Sequence, residues 1–318
     1  MSLCLVFGKF MPLHTGHIAL VDHALKQCDH VLLLVCAQPH EEIPGPLRLR
    51  WAEETFATNP SLTVAYTDVE LPYTDHSSRE ISRIWGQWFR SQYPDLTHVC
   101  TSEPYGEYVA EYMGITHLPF DYERAQQPVS ARLIRANPFA YWDYLPPAVR
   151  PHYVKKICLY GPESTGKSTL TEQLAARFNT VFVPEKARDI IADSTQCTRE
   201  HLEQVVAAQT EALRQAIPRA NKFLFCDTDL LTTQVYARYL FDRELIVSPE
   251  VEALHHYDLY LFCDTDLPYE QDGTRLGAHT REEMRALFWQ ALEARGVDFR
   301  VVRGVGEERV EAAVRLIS

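Results

Sequence analysis

Residues 161–168 read Gly161-Pro162-Glu163-Ser164-Thr165-Gly166-Lys167-Ser168. This is the spacing GxxxxGK[ST] of a phosphate-binding loop. The residue types explain the chemistry. Gly161 and Gly166 let the backbone curl so that loop N–H groups point inward at phosphate. Lys167 brings positive charge to the β- and γ-phosphates, and Ser168 brings a hydroxyl to Mg²⁺. Thr169 follows in the first turn of a helix whose positive end favours the same phosphates. The apolar run Val154–Tyr160 precedes the loop, and Lys167–Phe178 carries helical periodicity. The stretch therefore predicts strand, phosphate loop and helix, the start of a parallel α/β sheet.

Toward the C-terminus, Phe223–Cys226, Leu259–Cys263 and Phe299–Val302 fit buried strands, and Arg199–Ala216 and Arg281–Ala294 fit long helices. The heptapeptide Leu-Phe-Cys-Asp-Thr-Asp-Leu occurs twice, at Leu224–Leu230 and Leu261–Leu267, between unrelated flanks. Two parallel strands that both end in acidic residues at the carboxyl edge of one sheet would produce it. Ligands bind at that edge in open α/β sheets. Asp227 and Asp229 are candidates for a Mg²⁺ partner and for a base toward a substrate hydroxyl. Asp227 is placed on the metal side with Ser168, and Asp229 has a competing role as N-cap of a helix over Leu230–Tyr239. Glu185 suits ribose hydroxyls and Arg188 suits phosphate, although both also fit solvated charges of a first helical turn. Pro268, Tyr269, Asp272, Gly273, Arg275, Gly277 and Arg281 read either as a lid over the transferred phosphate or as a plain surface loop.

Toward the N-terminus a second phosphate device appears. Gly8-Lys9-Phe10 follows the strand-like run Leu3–Phe7 and leads to His14-Thr15-Gly16-His17. Two imidazoles at a helix start can both donate to the phosphate oxygens of ATP, and Gly16 permits close approach. The plainer alternative makes His14 an N-cap and His17 a packed helix residue. Late in the same half, Ser130 can cap a helix that receives phosphate, and Arg135 can reach the β- and γ-phosphates. Val31–Ala37 is a continuous apolar run, as in a strand buried on both faces. Short strands and amphipathic stretches alternate through this half, again predicting a parallel sheet. Pro138, Pro146, Pro147 and Pro151 cluster near the middle. The expected organisation is α/β with two domains. Residues 1–150 form an HxGH nucleotidyltransferase with a Rossmann-like parallel sheet, and residues 151–318 form a P-loop nucleoside kinase with its own parallel sheet.

Composition narrows the partners. The formal net charge of −12 gives no bulk attraction to nucleic acid or an anionic membrane. No apolar run is long enough to span a bilayer, and no signal peptide is evident. The eight cysteines are scattered without CxxC spacing, which reads as buried thiols in a cytoplasmic protein.

Together these residues resemble the bifunctional nicotinamide-nucleotide adenylyltransferase/ribosylnicotinamide kinases of the NadR type. The resemblance covers nearly the whole chain. It rests on Gly8-Lys9-Phe10 with His14–His17, Ser102-Glu103-Pro104, Val129-Ser130-Ala131 with Ile134-Arg135, and Asn137-Pro138-Phe139 with Tyr141-Trp142. The phosphate loop and Asp227-Thr228-Asp229 complete it. It implies a kinase domain that converts nicotinamide riboside to its mononucleotide (NMN). It also implies a second domain that joins NMN to AMP from ATP, giving NAD and pyrophosphate. Mg²⁺ would serve both reactions. One of Trp85 and Trp88 would stack on nicotinamide, Trp85 being the candidate, while Tyr269 and Asp272 would face the riboside. Two positions depart from the family pattern. Ala131-Arg132 follows Ser130 where relatives usually read Ser-x-Thr, and Tyr269 stands where Trp often follows Pro. Tyrosine still stacks on a pyridinium ring. Some relatives carry an N-terminal helix-turn-helix, whereas this chain starts on its first strand at Ser2, so no DNA binding is expected. A homo-oligomer is compatible with the sequence. Without the resemblance, the residues equally fit a kinase and nucleotidyltransferase for another nucleoside, or a nucleotide-sensing regulator with weak transferase activity. Intact Lys167, Ser168, His14 and His17 weigh against degenerate sites.

Overall fold

The structure is a computed structural model and describes every residue except 74–77, 192–195, 271–279 and 318. It divides into two compact units, Met1–His152 and Tyr153–Ser318.

The first unit alternates strand and helix: β1 (Leu3–Gly8), α1 (Thr15–Leu25), β2 (His30–Cys36), α2 (Gly45–Phe56), β3 (Leu62–Thr67), α3 (Arg79–Gln92), β4 (His98–Thr101), α4 (Tyr105–Met113), β5 (Thr116–Pro119) and α5 (Ala131–Ala136). The strands are parallel in the order β3-β2-β1-β4-β5. Residues 31–36 of β2 are all buried, as a strand covered by helices on both faces must be. The chain winds outward from β1 to one edge, then returns to build the other edge from β4. The crevice outside the carboxyl ends of β1 and β4 is thus the switch point where ligands bind in such sheets. The loop to His14 leaves β1 there. Short β5, Thr-His-Leu-Pro, carries no hydrophobic alternation and was not foreseen; as an edge strand it tolerates Pro119.

A short helix α6 (Arg150–Tyr153) leads into the second unit. There follow β6 (Lys155–Tyr160), α7 (Lys167–Arg177), β7 (Phe182–Val183), α8 (Ala187–Ile190), α9 (Arg199–Ala216), β8 (Phe223–Asp227), α10 (Leu230–Phe241), α11 (Pro249–Leu254), β9 (Leu259–Cys263), α12 (Arg281–Arg295), β10 (Phe299–Val302) and α13 (Glu307–Ile317). The order is β10-β9-β6-β8-β7, all parallel.

The two copies of the heptapeptide lie in β8 and β9, on either side of β6. They are not in step. Leu159 of β6 pairs with Asp227, the fourth residue of one copy, and with Leu261, the first of the other. An offset of three residues, being odd, turns every side chain to the opposite face. Leu224, Cys226 and Phe262 share one core, while Phe225, Leu261 and Cys263 share the other. The acidic ends diverge as well. Asp227 faces the phosphate loop, whereas Asp264 is held by Arg285 at 2.6 Å and Arg303 at 2.8 Å.

Candidate active sites

In the first unit the HxGH segment caps α1. His14 is the N-cap of α1, and its Nδ1 accepts the N–H of Gly16 at 3.1 Å. The Nδ1 of His17 accepts the N–H of His14 at 3.3 Å. An imidazole that accepts at Nδ1 while neutral carries its proton on Nε2. Each ring is therefore fixed as an Nε2–H donor. Desolvation, followed by the charges of His17 and Arg124, holds His14 well below its ordinary pKa. Desolvation and then Arg124 lower His17 to about 3. A Cβ on Gly16 would lie 2.9 Å from the His14 ring, so glycine here also makes room for that ring.

The surrounding loops are tied to this turn. The ring of Phe10, buried, meets His17 edge-on with centroids 4.9 Å apart. Lys9 pairs with Glu41 at 2.8 Å and stands 3.5 Å over the Tyr73 ring. Ser130 caps α5 by accepting from Leu133. Arg135, on the same helix, donates to the carbonyl of Met11 and lies 3.6 Å from Glu42. Sequence reasoning missed Arg48, 0% exposed, which donates to the carbonyls of Lys9 at 2.7 Å and Cys36 at 3.3 Å and pairs with Glu41. It also missed Arg124, which holds the carbonyl of Val129 at 3.0 Å while its charge acts on both histidines. Neither arginine lies in a pattern that a single sequence distinguishes.

In the second unit the phosphate loop joins β6 to α7. Gly161 has φ of +136°, and a Cβ there would sit 2.7 Å from the carbonyl of Cys263, so only glycine fits. Lys167 and Thr165 both donate to the carbonyl of Pro162 at 2.9 Å. Arg281 donates to the carbonyls of Leu267 at 2.8 Å and Ser164 at 3.0 Å, so it braces the loop. Buried Arg309, missed from the sequence, links the loop carbonyl of Thr165 to Asp266, each at 2.9 Å. The loop opens on a cavity of about 590 Å³ whose wall also includes Thr169, Glu185 and Arg188. Glu185 and Arg188 pair with each other at 3.0 Å.

Asp227 ends β8 and is 2% exposed. Its Oδ1 has no hydrogen-bond partner among the described residues, and the Ser168 side chain acts on the carboxylate. Burial first, then the neighbouring Glu185, raises its pKa, against the pull of Lys167 and Ser168. A hydroxyl beside a carboxylate with one spare oxygen fits Mg²⁺, which binds through one or two protein oxygens plus water and phosphate. No cluster of three or more His, Cys, Asp or Glu suited to a tighter metal cage occurs among the described residues.

A family model described as an AAA domain matches residues 156–309. The trifunctional NAD biosynthesis/regulator protein NadR of Escherichia coli (strain K12) is 31% identical over 94% of this chain and 78% of its own length. The chain belongs to the NadR family. NadR of Salmonella typhimurium is 29% identical with the same coverage. A crystal structure of a NadR protein in complex with NR superposes with a TM-score of 0.79 at 22% identity, covering 99% of this chain and 95% of that one. A second, in complex with NAD and AMP-PNP, gives 0.76 at 21% identity over 99% and 96%. At that identity the NadR structures establish the shared fold.

Within this NadR-family fold, two expected site residues are used otherwise. Asp229 is the N-cap of α10. Its Oδ1 accepts from the backbone and hydroxyl of Thr232, and its Oδ2 accepts the Tyr260 hydroxyl at 2.7 Å. Both oxygens being engaged, Asp229 takes the capping role rather than that of metal partner or base. Trp85 is 8% exposed, donates to the carbonyl of Pro72 at 2.9 Å and packs on Phe89. Its ring belongs to the core between α3 and the sheet, so it is not presented for stacking on nicotinamide. Tyr269 is half-buried with the Arg281 guanidinium 5.9 Å from its ring. Asp272 and Arg275, with Gly273 and Gly277, lie outside the described residues.

Proposed function

We propose that this chain performs two ATP-dependent transfers of NAD biosynthesis. The second unit phosphorylates nicotinamide riboside to NMN. The first unit joins NMN to the adenylyl group of ATP, releasing pyrophosphate and giving NAD. One observation carries the reading: a single NadR-family chain holds both an ordered Lys167–Ser168–Asp227 group and an oriented His14–His17 pair.

In the kinase unit the riboside hydroxyl attacks the γ-phosphorus of ATP and ADP leaves. Lys167 and the loop N–H groups hold the β- and γ-phosphates, and Arg281 keeps the loop closed around them. Glu185 receives the ribose hydroxyls. Ser168 and Asp227 would hold Mg²⁺, which when bound neutralises charge building on the phosphate oxygens. In the adenylyltransferase unit a phosphate oxygen of NMN attacks the α-phosphorus of ATP. His14 and His17 donate their Nε2–H groups to phosphate oxygens as charge develops, while Lys9 and Arg135 bind the departing pyrophosphate. No covalent protein intermediate is required.

No described helix is long and apolar enough to cross a membrane. All eight cysteines are free, which suits a reducing compartment, and we place the chain in the cytoplasm with small molecules as its partners. Purified protein with ATP, Mg²⁺ and nicotinamide riboside, followed by chromatography, is the test. NMN followed by NAD is the expected result. Turnover of another nucleoside with none of the riboside would overturn the assignment.

A further inference from the structure

Two segments that flank the cavity of the second unit are joined by one buried side chain. The first is the turn after β8, where Thr228 has φ of +65° and is 6% exposed. A β-branched residue is a rare occupant of the left-handed region. The turn aims Asp227 at the phosphate loop and lets Asp229 cap α10. The second segment joins β7 to α8 and carries Glu185 and Lys186. Glu185 and Thr228 both line the cavity.

Gln209 of α9, 3% exposed, reaches both segments. Its Nε2 donates to the carbonyls of Asp227 and Thr228 at 3.4 Å each, and its Oε1 accepts the N–H of Lys186 at 3.2 Å. A side-chain amide carries donor and acceptor at one end, so it can tie carbonyls of one segment to an N–H of another. An apolar residue of that length would fill the space and offer neither contact. Two forces act against the tie. After burial, the charge of Glu185 is the next cause holding the Asp227 pKa up, even though Glu185 is paired with Arg188 at 3.0 Å. The two carboxylates therefore repel. The left-handed Thr228 backbone, in turn, persists only where its surroundings hold it.

We propose that Gln209 is a positioning residue of the kinase site. By tying Asp227 and Thr228 to Lys186 it sets the separation of the phosphate-side carboxylate, Asp227, from the sugar-side one, Glu185. That separation fixes the approach of the sugar hydroxyl to the γ-phosphate, and a misplacement of about 1 Å can cost about 10²-fold in rate. The inference rests on the riboside-kinase reading above, which assigns Asp227 to Mg²⁺ and Glu185 to the ribose.

The test is kinetic. Gln209→Met keeps the length of the side chain and removes the amide. Its kcat for riboside phosphorylation is expected to fall by about tenfold or more, with the riboside KM and the Mg²⁺ concentration for half-maximal rate both rising. NAD formation from added NMN is expected to be unchanged in the same sample. Gln209→Glu keeps an acceptor for Lys186 but loses the donor, and is expected to raise the Mg²⁺ requirement more than the riboside KM. Asparagine tolerates the left-handed region, so Thr228→Asn combined with Gln209→Met is expected to recover part of the lost kcat. A lowered melting temperature with kcat, KM and Mg²⁺ dependence unchanged is what a residue that only packs α9 produces, and it would overturn the inference. If Gln209→Met does not fold, Gln209→Glu decides: an unchanged Mg²⁺ requirement overturns the inference, and a raised one supports it. Wild type that phosphorylates no riboside removes the kinase reading and this inference with it, whereas unchanged constants in a folded Gln209→Met remove only the inference.

Discussion

The imidazole rings of His14 and His17 stack with centroids 3.7 Å apart, and the Nδ1 of each accepts a backbone N–H of the same turn. The spacing His-x-Gly-His is thereby a helix cap and a pair of oriented donors at once. Two positive charges in that stack would repel, so the stacked pair favours its neutral form.

His17→Ala should lower NAD formation from NMN by about 10²–10³-fold, the usual effect of removing one donor to a developing negative charge. Phosphorylation of nicotinamide riboside should continue in the same sample. Loss of both activities in a folded variant would show that the two sites depend on one another.

The depressed pKa of His17 has a signed effect on stability. Its ordinary value is 6.5 and its folded value about 3, so the unfolded chain takes up the proton first as acid is added. The stability contributed by the neutral form is complete above pH 6.5 and is lost as pH falls toward 3. Thermal unfolding of wild type and His17→Gln between pH 7 and 4 checks this. The wild-type midpoint should fall more steeply, and parallel curves would refute the assignment.

Lys167→Ala should reduce riboside phosphorylation by about 10²-fold or more while NAD formation from added NMN persists. Separate assays with riboside and with NMN distinguish this from general misfolding.

Asp227 and Asp229, two residues apart, should respond differently to the same substitution. Asp227→Asn should raise the Mg²⁺ concentration needed for half-maximal kinase rate and lower kcat, with little change in melting temperature. Asp229→Asn should chiefly destabilise, by about 1–3 kcal/mol, because a cap and a buried acceptor for Tyr260 are weakened. A Mg²⁺ dependence altered only in Asp229→Asn would reverse their roles.

Glu41→Gln should destabilise the first unit by about 3 kcal/mol or more, since Arg48 is fully buried and would lose its counter-charge. Lys9 loses the same partner, so the KM for ATP in NAD formation should rise. Denaturant titration and initial-rate kinetics measure the two effects separately.

The sequence made the two sheets legible because buried parallel strands and phosphate loops leave local marks. β9 and β10 matched their apolar runs residue for residue, and His98–Thr101 did so in the first unit. Edge elements left weaker marks, and two-residue β7 and four-residue β5 lack a periodic pattern. Residues whose proposed role lies within one motif, such as Lys167 and His17, stand out in the sequence. Arg48, Arg124 and Arg309 do not, because each acts on a carbonyl that the fold alone brings near. Trp85 and Asp229 misled for one reason: an aromatic ring or a carboxylate near a site looks alike in sequence whether it faces the cavity or the core.

Exchanging Leu224–Leu230 with Leu261–Leu267 would leave this protein letter for letter unchanged. Whatever separates Asp227 from Asp264 therefore resides outside the seven residues, in the β6 register and in the arginines that await only one of the copies. A search for internal duplication would align the two and transfer the proposed magnesium contact to a strand whose acidic end is already bound by Arg285 and Arg303. Substitutions at equivalent places in the two copies, Phe225 and Phe262 for example, should likewise disturb different layers of the domain.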